Sequence, residues 1–273
     1  MNRAVTLCAV VLLVGSSIAS ANTLYVGVGQ TYTTIQAAIN AASVGDTIKV
    51  LPGTYNEAII INKNIVMQGS GYEMTRITSG SNPTISMSAG KIMWFSITST
   101  SGDGVQITTG TITNCVLAGC GKYGVHFLIG GTASIKNCVV TGNASDGVFG
   151  DYQYPTYPGT AINCISMNNG GNGFNQIGGA AYCDGSTSSI SSNPSNTVNT
   201  DPLFTSGSDF HIPQTSPCYH TGNPADVNPD GSRSDMGYFG GSDCPTYPVV
   251  TKIVIVPAGN GQVQIQATAQ ANY

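Results

Sequence analysis

The chain has few charged side chains and three histidines, and both scarcities narrow the possible functions. Charged residues make up 8% of its 273 residues, against about 25% in ordinary globular domains, while apolar residues make up 41%. Ample apolar content with so little charge argues against intrinsic disorder. Nine lysines plus arginines against thirteen aspartates plus glutamates leave a net charge of -4, which supplies no basic field for holding nucleic acid.

Motifs of common catalytic and metal sites are also missing. The histidines are scattered, no serine lies in a nucleophile-elbow setting, and no His or Cys spacing resembles a zinc site. After the first 21 residues no segment is apolar enough to span a membrane. We therefore expect neither a serine hydrolase, nor a zinc enzyme, nor a membrane-spanning protein.

Residues 1–21 have the features of a secretory signal peptide. Arg3 precedes a short apolar stretch, and the small residues Ala19, Ser20 and Ala21 form a cleavage site before Asn22. We expect an exported protein, secreted or held at the cell surface. Seven cysteines remain after cleavage, and an odd number leaves at least one unpaired unless it bonds another chain.

Glycine, in contrast, is abundant, and four glycines mark a repeat. An Asn-Cys pair recurs three times, each time with a glycine ten residues after the asparagine. The marked glycines, separated by 20, 23 and 26 residues, are Gly104, Gly124, Gly147 and Gly173. This spacing is typical of a solenoid, in which equivalent residues of stacked coils lie about 4.8 Å apart.

Stacking predicts ladders of identical side chains. We expect Asn114, Asn137 and Asn163 to pass amide hydrogen bonds from coil to coil at a bend that asparagine tolerates. Cys115, Cys138 and Cys164 should stack beside them as reduced, small apolar side chains, because parallel stacked thiols are badly oriented for a disulfide. A second ladder, six residues after each asparagine, contains Cys120, Asn143 and Asn169.

Upstream of the repeat, apolar residues at helical spacing predict one short helix over 34–42. Thr33 and Gln36 match a capping box. Strands are expected around 47–51, 58–61 and 65–68, and the helix should plug the open end of the stack.

These features together resemble a known family. The N-terminal TTIQAAINAASVGDTIKVLPGTYNEAIIINKNIVMQGSG, the Asn-Cys repeats, and the C-terminal TDPLF, SDFHI, SPCYHTGNPA and NPDGSRSDMGYFGG are similar to secreted proteins of the pectate-lyase-like superfamily. The resemblance covers about Thr23 to Gly241. It implies an all-β fold, a right-handed parallel β-helix with a short N-terminal capping α-helix. Members include lyases, glycoside hydrolases and exported proteins without a demonstrated reaction, so the fold alone selects no activity.

The domain prediction follows from this extent. Residues 22–243 form the β-helix with a C-terminal closing region. Residues 244–273 are a proline-rich linker followed by simple strand alternation, which is the start of a further β module or a trailing strand.

A polysaccharide lyase would need clustered aspartates for calcium and a lysine or arginine as the base. The best such set in the chain is Lys122 with Asp103, Asp146 and Asp151. The alternative is a surface ion pair between Lys122 and Asp146, with the aspartates chosen for turns. We favour the alternative.

The longest coil carries an insertion, GDYQYPTYPG at 150–159, with tyrosines 152, 154 and 157. Tyr152, Tyr154 and Tyr157 would stack on sugar rings, or would pack the loop against the coil wall. His126 shares a ladder with Gln106, Phe149 and Asn175, which suggests a structural or sugar-contacting role.

Two predictions concern the C-terminal region. Cys218 and Cys244 lie outside the ladders and are predicted to form a disulfide, with Cys183 as the rival partner of Cys218. The loop DVNPDGSRSDMG at 226–237 spaces oxygen ligands as a calcium loop does, although a turn with the same residues is the alternative. The predicted calcium ligands are Asp226, Asn228, Asp230, Ser232 and Asp235.

The sequence therefore supports three functions. The leading hypothesis is an exported protein that associates with polysaccharide without strong catalytic activity. The second is a calcium-dependent polysaccharide lyase, and the third is a structural surface or adhesion module.

Overall fold

The chain winds through three parallel sheets in turn, so that successive coils stack into a β-helix. A computed structural model describes residues 21–152, 156–188, 198–245, 247–259 and 262–272. Between Thr47 and Ala181 the chain visits the sheets in a constant order, and strands of consecutive coils are neighbours in each sheet. Parallel crossovers of this kind are right-handed in about 98% of cases. The predicted all-β, right-handed parallel β-helix is confirmed.

Sheet I has eight strands, and residue pairs such as Ile112 and Ile135 stack in register. Its strands are β1 Thr23–Val26, β2 Thr47–Val50, β5 Val66–Gln68, β8 Lys91–Met93, β11 Gly110–Thr113, β14 Ala133–Lys136, β17 Thr160–Ile162 and β20 Gly179–Ala181.

Sheets II and III complete each coil. Sheet II contains β3 Gly53–Asn56, β6 Thr75–Ser79, β9 Ser96–Ser99, β12 Val116–Ala118, β15 Val139–Thr141 and β18 Ile165–Met167. Sheet III contains β4 Ile59–Ile61, β7 Ile85–Met87, β10 Val105–Ile107, β13 Val125–Phe127, β16 Val148–Gly150, β19 Phe174–Asn175 and β21 Thr187–Ser188.

One helix, α1 Ile35–Ala41, packs against β1, β2 and β4 and buries Ile35, Ala38 and Ile39. Its N-cap is Thr34, whose hydroxyl accepts from the Ala37 N–H at 3.4 Å, so the predicted Thr33–Gln36 capping box is wrong.

Charged side chains that follow the helix in sequence bind the free backbone groups at both ends of α1. The Glu57 carboxylate accepts from the N–H groups of Ile35 and Gln36, at 2.8 and 3.0 Å. Lys63 Nζ donates to the carbonyls of Ile39, Asn40 and Ala42 at the other end. An anion at the N-terminus and a cation at the C-terminus both favour the helix dipole.

The inside of the coils is a continuous apolar column. Isoleucine, valine and phenylalanine side chains from the three sheets fill it, and Cys115, Cys138, Cys164 and Cys183 stack within it as buried free thiols. Desolvation raises the pKa of the first three well above the ordinary value of a thiol. The predicted reduced cysteine ladder agrees with this arrangement.

A closing segment, residues 198–245, covers the outer face of sheet II. Val116, Val139 and Ile165 form a second apolar cluster with Phe210 and Tyr238 of that segment. The hydroxyl of Tyr238 accepts from the N–H of Tyr72, which ties the segment to the loop after β5.

The asparagine bends differ from the prediction in their side-chain partners. Asn114, Asn137 and Asn163 are buried and have φ between 46° and 54°, as expected at such bends. Their amides bond the closing segment rather than one another. Asn114 Nδ2 donates to the Tyr238 and Gly240 carbonyls.

The second ladder is the one that passes amide hydrogen bonds between coils. Asn143 Oδ1 accepts from the N–H of Cys120 at 2.9 Å, and Asn169 Oδ1 accepts from Asn143 Nδ2 at 2.9 Å.

After the closing segment, β22 Tyr247–Gly259 and β23 Gln262–Asn272 pair as an antiparallel two-stranded sheet. The described part of the chain contains no helix with the length and apolar character needed to cross a bilayer. The predicted signal peptide lies almost wholly outside the described residues.

Candidate functional site

The outward positions of sheet III form a row of polar and aromatic side chains. Strand alternation sends Val125 and Phe127 into the core and turns His126 to the outer face. In-register pairing of the strands then aligns Ile60, Ser86, Gln106, His126, Phe149 and Asn175. We call this row the outer face of sheet III.

His126 lies between two carboxylates from different coils. Its Nδ1 is 2.9 Å from Asp103 Oδ2, and its Nε2 is 2.8 Å from Asp151 Oδ1. The Asp103 side chain is 1% exposed and that of His126 is 11% exposed, whereas that of Asp151 is 37% exposed. The three residues therefore run from the protein interior to solvent.

These contacts determine the charge of the imidazole. An ionised carboxylate only accepts hydrogen bonds, so contact with a carboxylate at each ring nitrogen favours the imidazolium form of His126, in which both nitrogens donate. Burial acts to lower the pKa of His126, but the hydrogen bonds and charges of Asp103 and Asp151 outweigh it and raise this pKa above its ordinary value.

Three hydrogen bonds favour the ionised form of Asp103. Burial acts to raise its pKa, but hydrogen bonds from His126, from Gln106 Nε2 at 2.8 Å and from the Tyr123 N–H at 3.3 Å lower it below the usual range. A buried carboxylate with this many donors is a fixed anchor for the imidazolium.

Two aromatic rings enclose the histidine. Tyr123 and Phe149 stack with their centroids 4.4 Å apart, and both rings meet the His126 ring edge to face. Their apolar surfaces exclude water from the imidazolium and strengthen its interaction with the two carboxylates.

The residues of the predicted lyase set occupy different environments. Asp103 and Asp151 are joined through His126, which the prediction did not include. Asp146 accepts from the Asn172 N–H and from Asn175 Nδ2.

Lys122 is exposed, with its Nζ 4.5 Å from the Tyr123 ring centroid. Both Lys122 and Asp146 are described, and no ion pair joins them. The surface pair predicted as the alternative is therefore wrong, and the lyase assignment of these residues stays a prediction.

The tyrosine insertion borders the same site. Tyr152 is half exposed, and its ring centroid lies 4.8 Å from that of Tyr157. Tyr157 and Asp151 line one cavity of about 260 Å³, together with Ile129, Gly130, Gly131 and Pro158. Tyr154 lies outside the described residues.

The predicted calcium ligands all have protein partners. Asp226 Oδ1 lies 2.6 Å from Lys136 Nζ, and its Oδ2 accepts from Asn163 Nδ2. Asp230 Oδ1 accepts from the N–H and the hydroxyl of Ser232, as in a turn.

The remaining three predicted calcium ligands accept from backbone N–H groups, and the Ser232 carbonyl does so from the Asn228 N–H at 2.8 Å. Asn228 Oδ1 accepts from the Asp235 and Gly241 N–H groups, and Asp235 Oδ1 accepts from the His220 N–H. Calcium would have to displace several of these donors, which favours the alternative prediction that this loop is a turn.

The predicted disulfide is not formed. Cys218 and Cys244 are both free and buried. Cys218 Sγ donates to Asp184 Oδ2 at 3.1 Å, and Cys244 Sγ is 3.7 Å from the Pro245 carbonyl oxygen. The rival partner, Cys183, is also a free thiol, stacked in the cysteine column.

A second polar cluster lies where the closing segment meets the loop after β5. Glu73, Asp209 and His211 each place one potential metal ligand within 4.8 Å of the others. Next to it is a cavity of about 460 Å³ lined by Tyr72, Arg76 and Phe210 among others. The sequence analysis did not bring these three residues together, because 136 residues separate Glu73 from Asp209.

The sequence analysis named Asp103, His126 and Asp151 but assigned them to separate roles. The ladder register places Asp103 one coil before His126, and Asp151 directly follows the strand of the next coil. The repeat interval in the sequence gives this register, so it could have indicated that the three side chains meet.

Comparisons with known proteins gave matches among solved structures. No family model matches the chain, and no curated protein matches it. Among solved structures, pectin methylesterase PemA from Erwinia chrysanthemi is 14% identical with a TM-score of 0.44, over 67% of each chain.

Two further structures are similar to a comparable degree. A pectin methylesterase from Aspergillus niger is 17% identical with a TM-score of 0.40, over 67% of this chain and 82% of that chain. Pectate lyase Pel9A is 14% identical with a TM-score of 0.40, over 82% of this chain and 97% of that chain. The β-helix fold is established by the strand pairing of the chain itself.

Proposed function

We propose that the protein is exported and binds polysaccharide along the outer face of sheet III. The observation that carries this proposal is the exposed Tyr152 ring packed against the partly buried Tyr157 beside Asp151, a carboxylate held by His126. The signal peptide predicted over residues 1–21 supports export.

The chemistry of this face suits a sugar chain. Tyrosine rings offer flat apolar surfaces for sugar rings, and carboxylates accept hydrogen bonds from sugar hydroxyls. Asp151 uses one oxygen for His126 and is 37% exposed, so its second oxygen is accessible to a ligand in the adjoining cavity. The stacked strands place successive outward side chains about 4.8 Å apart in one row, which suits an extended polymer.

A glycan array with the purified chain tests the proposal. We expect the parent to bind at least one polysaccharide, and the Tyr152→Ala/Tyr157→Ala double variant to bind it about tenfold more weakly or worse, since each lost stacking contact costs about 0.5–1.5 kcal/mol. Tyr25→Ala is the matched control, because Tyr25 is 45% exposed on β1 of sheet I. It should bind as the parent does.

Two outcomes would contradict the proposal. One is binding to no glycan, and the other is equal loss in the control and the double variant. Incubation with pectate and alginate adds a test of activity: ultraviolet absorbance from unsaturated uronates that disappears in Lys122→Ala would replace a binding function with a lyase function.

A further inference from the structure

We infer that the outer face of sheet III selects uncharged polysaccharides over polyanionic ones. This inference rests on the proposed function, because it names the class of polymer that the same face binds. Three features support it, namely the charges of the row, the charges of the turns beside it, and the direction of the available hydrogen bonds.

The row itself has no cation free to meet an anionic ligand. Its described outward positions, from Ile60 through Asn175, contain neither lysine nor arginine. The one cation is the His126 imidazolium, and both of its N–H groups already donate to carboxylates. Two ionised carboxylates, Asp103 and Asp151, against one imidazolium give these three residues a net charge of about -1.

The turns that precede the strands of sheet III leave the net negative charge of Asp103, His126 and Asp151 unchanged. They contribute Lys122 and Asp146, whose opposite charges cancel. Lys122 is exposed above the Tyr123 ring and offers one ammonium group. A polyuronate has a carboxylate on every sugar, so most of its charges would meet Asp151 and Asp146 instead. Like charges facing each other across an interface cost binding free energy.

The hydrogen bonds that the carboxylates of the face can make also favour a neutral sugar. Asp151 can only accept, and one N–H of each of the Asn175 and Gln106 amides already donates to Asp146 and Asp103. A ligand group that meets Asp151 must therefore supply a donor, which a sugar hydroxyl does and an ionised carboxylate does not.

Isothermal titration with matched polymer pairs tests this selectivity. We would use polygalacturonate against its fully methyl-esterified form, and carboxymethylcellulose against hydroxyethylcellulose, in 20 mM salt. Within a pair, we expect the uncharged polymer to bind about tenfold more tightly or better, which corresponds to about 1.4 kcal/mol. Raising the salt to 0.5 M should bring the affinities of the uncharged and the anionic polymer closer together, because screening weakens repulsion between exposed charges.

Charge variants separate repulsion from a preference for the polymer backbone. Asp151→Asn removes the accessible negative charge and should reduce the ratio of the affinities for the uncharged and the anionic polymer by about threefold or more. Asp201 is an exposed aspartate of the closing segment, and Asp201→Asn should leave this affinity ratio unchanged. Equal or tighter binding of the anionic polymers, or a ratio that neither salt nor Asp151→Asn changes, would overturn the selectivity and leave polysaccharide binding intact. Binding of no polymer in this set or on the array would instead overturn the proposed function and this inference with it.

Discussion

At the scale of single residues, His126 is the group on which the candidate site depends. It contacts one buried carboxylate and one that is accessible to solvent, so its charge affects both the interior and the ligand-facing cavity. Removing one partner of a buried, hydrogen-bonded charge pair leaves the other charge uncompensated, which is costly.

The stabilising effect of His126 should depend on pH with a definite sign. The pKa of His126 is raised in the folded state, so its contribution is fully present below the unfolded pKa of about 6.5 and is lost as pH rises through the folded value. We expect His126→Gln to lower the free energy of unfolding by about 1.5–3 kcal/mol at pH 5.5, the range for hydrogen bonds to charged groups, and by less at pH 8.5.

Urea unfolding of both proteins at the two pH values measures this difference. His211→Gln is the control, because that histidine is 46% exposed and its contact with Asp209 is worth less than about 1 kcal/mol. A cost of His126→Gln that is constant or grows with pH would show that the imidazolium does not bridge the carboxylates.

At the scale of elements, the asparagine bends attach the closing segment to the solenoid. Asn137 Nδ2 donates to Ser234 Oγ and to the Asp235 carbonyl, and Asn163 Oδ1 accepts from the Asn223 N–H. Each bend is therefore both a corner of a coil and a contact with a segment distant in sequence.

Asn137→Gly isolates the second of these roles, since glycine adopts the φ of 50° without strain. We expect a loss of about 1–3 kcal/mol in unfolding free energy, because the buried Asp235 carbonyl and the Ser234 hydroxyl lose their donor, together with faster amide exchange in residues 234–241. Asn168→Gly is the control, with a φ of 58° on an exposed residue. Equal losses of unfolding free energy in the two variants would mean that the hydrogen bonds of Asn137 to the closing segment do not stabilise the fold.

The loop at 226–237 leads to a prediction about calcium. Since Asp226, Asn228, Asp230 and Asp235 already accept hydrogen bonds within the protein, we expect the same melting midpoint in calcium and in chelator. Calcium at a hundred times its dissociation constant would otherwise add about 2.7 kcal/mol. A stabilisation of that size that is absent in Asp230→Ala would establish the calcium site.

At the scale of the whole molecule, stability should reside in the solenoid and its closing segment. The strands β22 and β23 pair with each other and not with any of the three described sheets, and a lone two-stranded sheet adds little stability. The cluster around Tyr238, in contrast, covers three successive strands of sheet II.

Two truncations compare these contributions. A chain ending at Pro245 should melt within about 2 °C of the full chain, because no solenoid strand loses its pairing. A chain ending at residue 197 uncovers Val116, Val139 and Ile165 and should melt at least about 5 °C lower, as expected for a loss of several kcal/mol from a domain of this size. Calorimetry on both decides whether the closing segment or the hairpin stabilises the fold.

The sequence by itself determined the period of the coils, the positions of three strands near the N-terminus, the short helix and the reduced cysteine column. All of these follow from local alternation and from a spacing that repeats along the chain, which a single sequence displays. The tertiary structure decided which side chains meet across that spacing. His126 joins carboxylates 23 and 25 residues away, and Asn137 bonds residues 97 and 98 positions later, because stacking and docking bring together residues whose separation no local pattern records.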